Sequence, residues 1–164
     1  MKRILILATV AVLTIGAIGT VSASNDAHER RDVKAKLTGF AEVPAVSSTG
    51  SGRLRLSINE TTSTITYELT YAGLSGDAQA AHLHFGQSGV AGGILAPLCG
   101  MAPKGACPAG TSATVTGTIV AADIVGPAVQ GIAAGEFAEA RRAIRAGMGY
   151  VNVHTAAFPG GEIR

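Results

Sequence analysis

The chain has 164 residues, with 13 Lys and Arg against 11 Asp and Glu, two Cys and no Trp, and 4% of it is aromatic. That length holds about one domain. A formal charge of +2 excludes the broad basic field that draws nucleic acid or anionic lipid, and the core has to be built mainly from Val, Ile, Leu and Ala.

The first segment is expected to stand apart from the fold. Met1-Lys2-Arg3 is basic, Ile4 to Gly19 is apolar, and Val21-Ser22-Ala23 offers small residues for cleavage. This is the pattern of a secretory signal peptide over residues 1–23, and the run is shorter than the roughly 20 residues a spanning helix needs. Cleavage removes Lys2 and Arg3 and leaves acids and bases balanced at 11 each. The protein is then secreted or periplasmic, with no membrane segment and no pull on nucleic acid. Residues 24–35 form a charged leader of mixed sign, expected to be solvated. The domain is expected over 36–164.

Period two dominates the chain from Lys34 to Ile119. A first strand is predicted over Lys34 to Phe40, then a turn-like stretch to Gly50. Arg53 to Ile58 and Thr64 to Tyr71 alternate apolar and polar residues and are joined by Asn59 to Ser63, which reads as a hairpin. Further strands are predicted at Gln79–Phe85, Ile94–Leu98 and Ala113–Ile119. From Ala121 to Ala146 the spacing turns helical, broken by Pro127 and several glycines. The best helix is Glu136 to Ala146, acidic at its start, with Arg141, Arg142 and Arg145 near its end and Gly147 as a stop. Those arginines are expected on a solvated face balanced by Glu136 and Glu139. A last strand, Tyr150 to Thr155, and a turn at 158–161 close the chain. The fold class is mainly β: an antiparallel, Greek-key-like sandwich of superoxide-dismutase type with one helical insertion before the last strands.

Cys99 and Cys107 enclose seven residues of a Gly/Pro-rich loop. Outside the cytosol an even cysteine count in such a loop favours a disulfide. A thiolate metal pair or a redox couple usually has two-residue spacing, which is lacking here.

The histidines carry the chemistry. His82 and His84 flank Leu83 on one strand, and His154 lies on another. Residues i and i+2 of a strand share a face, about 7 Å apart along the backbone. If the two strands are neighbours, His154 completes a three-imidazole site. Neutral imidazoles suit copper or zinc, and three nitrogens with an open position make an exchangeable or reactive centre. Copper is favoured by the affinity order and by an oxidising compartment, with zinc as the alternative. In the competing reading the histidines only support their strands, His154 bonding Asn152 or Thr155. Asn152, Glu162 and Glu42 are candidate partners behind the imidazoles; Glu162 has an alternative as a surface pair with Arg164, and Glu42 as a turn residue. Met101 and Met148 carry thioethers suited to Cu(I), and Met148, at a strand start six residues before His154, reads rather as a core gap-filler. Hydrolase and phosphate-loop motifs are absent. Asn59-Glu60-Thr61 is a glycosylation sequon, relevant only in a eukaryotic secretory pathway.

Taken together, several segments resemble the CHRD domain family, the module named after chordin and common in secreted bacterial proteins. They are Leu37-Thr38-Gly39 with Glu42-Val43-Pro44, Gly50-Ser51-Gly52, Tyr67 to Gly76, Ala80-Ala81-His82-Leu83-His84, and Tyr150 to Arg164. The resemblance implies an exported β-sandwich binding module and assigns no activity. Such domains usually continue past Gly-Glu-Ile-Arg, so the last strand is expected to be short or frayed. A five-residue likeness of His82-Leu83-His84-Phe85-Gly86 to copper–zinc superoxide dismutases gives an alternative, a mononuclear copper redox enzyme. The further histidines and aspartate-bearing loop of those enzymes are missing. A protein-interaction domain without metal is the remaining reading, its protein or envelope partner unspecified.

Overall fold

A computed structural model describes residues 30–164. The expected signal peptide and the first part of the leader lie outside the described residues. Among the described residues seven strands form two antiparallel sheets: β1 (Arg30–Thr38), β2 (Ser51–Asn59), β3 (Thr64–Ala72), β4 (Ala78–Phe85), β5 (Gly93–Cys99), β6 (Ala113–Ile119) and β7 (Gly149–Thr155). The first sheet runs β1-β2-β3-β6 and the second β5-β4-β7. The chain crosses from β3 to the β4–β5 pair and returns to lay β6 beside β3, a Greek-key path. The mainly-β sandwich expected from the alternation is the fold.

The alternation explains the packing. Leu54, Leu56 and Ile58 of β2 face Leu69, Tyr67 and Ile65 of β3 in register, and all six are buried. Leu83, Val151 and Val153 meet them from the second sheet within one core cluster. Tyr67 spans the two sheets by donating its hydroxyl to the Leu98 carbonyl at 2.8 Å. Tyr67 also rests on Gly117, where any side chain would collide with its ring.

Helix α1 (Phe137–Arg145) buries Phe137, Ala140, Ala143 and Ile144. Its arginines are not merely solvated: Arg141 and Arg145 both hold Glu60 in the β2–β3 turn, the latter at 2.7 Å. Arg142 pairs with Glu139 as the sequence suggests. Cys99 and Cys107 are joined by a disulfide. Among the described residues no helix is long and apolar enough to cross a membrane.

Two boundaries differ from the sequence expectation. Strand β1 begins at Arg30 and ends at Thr38, so part of the charged leader is strand and Phe40 lies in a short 3-10 helix (Gly39–Ala41), 77% exposed. The polar residues of 30–36 fit because the outer face of an edge strand is wet. The final residues are not frayed. Val153 and Glu162–Ile163 exchange backbone hydrogen bonds of 2.8 and 3.0 Å, and Thr38 exchanges two more with Arg164 at 3.0 and 3.1 Å. This tail ties β7 of one sheet to β1 of the other, with Glu162, Ile163 and Arg164 buried.

Candidate metal centre

Strands β4 and β7 are direct neighbours, so His154 lies on the strand beside His82 and His84. The register sets His84 opposite Tyr150, His82 opposite Asn152, and Ala80 opposite His154. One face of this pair therefore carries His82, His84, Tyr150, Asn152 and His154, while Ala81, Leu83, Val151 and Val153 fill the core from the other face. One ring nitrogen from each histidine lies within 4.8 Å of the other two. His82 and His84 are only 7% and 8% exposed, and His154 is half-buried.

The hydrogen bonds fix which nitrogens are free. His84 Nδ1 is 3.0 Å from the Gly92 carbonyl and His154 Nδ1 is 3.0 Å from the Pro159 carbonyl. A carbonyl accepts only, so both Nδ1 atoms carry the proton and both Nε2 atoms hold a lone pair. Metal-bound histidines are oriented by the same device. His82 has no carbonyl clamp: its Nδ1 lies 3.1 Å from His154 Nε2 and donates to it. The Nε2 atoms of His82 and His84 are buried with no partner, as are Asn152 Oδ1 and Glu42 Oε1. Orphaned buried polar atoms are rare in folded proteins and call for a reason.

Electrostatics keeps the site neutral. Burial, reinforced by His154 and His84 nearby, lowers the His82 pKa to about 4. Burial also lowers those of His84 and His154. The imidazoles are thus neutral at neutral pH, with no positive charge to lose before a metal binds.

The other candidates divide. Asn152 sits in the site beside His82, its Nδ2 3.5 Å from the Gly160 carbonyl. Glu42 is buried, and desolvation raises its pKa. It meets Asn152 across Gly161, where φ is +128° and a Cβ would strike Glu42 Oε1 and stand 2.7 Å from Asn152 Nδ2. Glu162 serves elsewhere. Its carboxylate accepts from Ser48 Oγ at 2.6 Å, Ser75 N at 2.8 Å, Ser75 Oγ at 2.7 Å and Thr155 Oγ1 at 2.7 Å, and these bonds outweigh burial to lower its pKa. The expected surface pair of Glu162 with Arg164 does not form. Arg164 instead lies over the Tyr150 ring, 3.4 Å from its centre, and donates to the Gln87 and Val90 carbonyls. His154 likewise bonds His82 and Pro159 rather than Asn152 or Thr155.

Tyr150 was not singled out in the sequence. Its ring stacks on His84, and its hydroxyl accepts from Gly92 N at 3.0 Å. The signal was present: Tyr150, Asn152 and His154 share one face by alternation.

Residues 33–164 match the sequence profile of the CHRD domain, and the chain belongs to that family. No curated protein and no solved structure matches it.

Proposed function

We propose that this CHRD domain is an exported binding module that holds one transition-metal ion through His82, His84 and His154. The observation that carries the reading is the convergence of three neutral imidazoles, one ring nitrogen of each within 4.8 Å of the other two. The carbonyl clamps on His84 and His154 add the outer support that such ligands need. A separation of 3.1 Å between His82 Nδ1 and His154 Nε2 suits two bonds of about 2.0–2.1 Å to one ion, once the His82 proton moves to its other nitrogen. Three nitrogens leave a position open for water or a ligand. Copper stands ahead of zinc because divalent affinity peaks at copper. Export is supported by the Cys99–Cys107 disulfide, a bond that persists in oxidising compartments, together with the basic-apolar-small pattern of residues 1–23.

Competition titration of the purified protein with Cu(II) and Zn(II) tests this. One equivalent should bind, and His82→Ala, His84→Ala and His154→Ala should each weaken it at least tenfold. Alanine variants that change stability while leaving metal retention untouched would make the cluster a strand support only. Superoxide turnover no faster than that of free copper would remove the redox-enzyme alternative and leave the binding module standing.

A further inference from the structure

The open face of the four-stranded sheet carries charges that folding alone disfavours. Across β1 and β2, Lys34 stands directly opposite Arg55 and Lys36 directly opposite Arg53. All four are exposed, and none belongs to an ion pair among the described residues. Like charges directly opposite each other destabilise a sheet. The acids of this face, Asp32 and Glu68, lie in register with Ser57 and Arg55, so Lys36 and Arg53 have no acidic neighbour across the ladder.

The row continues as hydroxyls. Arg53 faces Thr70, and Thr70 faces Thr114, with their Oγ1 atoms 3.2 Å apart. A trough of about 450 Å³ runs among Lys34, Lys36, Arg53 and Arg55. A second leads from Lys36 and Arg53 past Ser51 and Thr70. None of the large exposed hydrophobics lies on β1, β2, β3 or β6.

We propose that this face docks a linear, hydroxyl-bearing polyanion: an acidic polysaccharide with carboxylates along its repeat. The Cβ atoms that carry these cations are spaced about 5 Å apart across the strands and about 7 Å apart along them, which spreads positive charge along a strip rather than at a point. The adjoining threonine and serine hydroxyls suit sugar hydroxyls. A membrane surface would call for apolar side chains to insert, and a single-stranded nucleic acid for aromatic platforms; the face offers neither. This surface belongs to the other sheet from the histidines, so its test is independent of the metal site.

Purified protein is assayed against polygalacturonate, neutral dextran and phosphatidylglycerol vesicles, at about 50 and about 200 mM salt. Polygalacturonate should be bound, at least tenfold more weakly at the higher salt. Lys36→Gln with Arg53→Gln should weaken binding at least tenfold at fixed salt while melting at or above the wild-type temperature, since it relieves an opposed pair. Should that double variant melt lower, Lys36→Gln alone serves, with the same direction expected. No binding by the wild type, equal binding to dextran, stronger binding to the vesicles, or unchanged affinity in the folded variants would each overturn the proposal.

Discussion

Tyr150 lies flat against His84, ring centroids 4.8 Å apart and planes only 11° from parallel. Both residues reach Gly92: the tyrosine hydroxyl accepts from its N–H, and its carbonyl accepts from His84 Nδ1. The guanidinium of Arg164 covers the far side of the phenol ring. The His84 imidazole is thus held by a stack and a clamp that share one glycine.

Removal of that support should loosen the metal without touching a ligand. Tyr150→Ala is expected to weaken metal affinity about 10- to 100-fold, the usual cost of losing groups that orient a ligand. Tyr150→Phe keeps the stack and loses the hydroxyl contact, so its loss should be smaller. Competition titration of the two variants checks the order.

Acid should destabilise the metal-free fold over a defined window. The folded His82 pKa is about 4 against an ordinary 6.5, and those of His84 and His154 are also lowered. Below pH 6.5 the unfolded chain takes up protons that the folded chain refuses, so unfolding is favoured as pH falls. Stability is full above about pH 6.5 and declines towards pH 4, by an amount on the order of 1–3 kcal/mol. Urea melts at several pH values read it directly, and His82→Ala should flatten the decline.

At Gly161 the backbone and the space around it both demand glycine. With φ at +128° and Glu42 and Asn152 against the missing Cβ, Gly161→Ala should cost about 1–3 kcal/mol of stability. The bond network of Glu162, one residue on, should be disturbed with it. Thermal melting of the variant measures the loss.

The disulfide closes a short loop at the end of β5. Cys99→Ser with Cys107→Ser should lower stability by about 2–3 kcal/mol and leave metal affinity within about twofold, because neither sulfur belongs to the imidazole face. A parallel melt and metal titration separates the two effects.

How much of this was readable from residues alone depends on the range of the interaction. Leu54, Leu56 and Ile58 against Ile65, Tyr67 and Leu69 follow from period two, because each strand states its own buried face. His82 and His84 share a face for the same reason. The pairing of β4 with β7 that brings in His154 is long-range, and the sequence posed it only as a condition. Glu162 and Arg164 show what local reading misses. As neighbours in a polar turn they suggest a surface pair, yet tail bonds to Thr38 and Val153 pull both inside, towards different partners. Glu60 likewise draws Arg141 and Arg145 from a helix that looked self-balanced.

Anomalous diffraction from crystals soaked in Cu(II) would locate the ion itself. One dominant peak is expected about 2.0–2.2 Å from a ring nitrogen of each of His82, His84 and His154. A cluster left empty while copper settles elsewhere on the surface would contradict it.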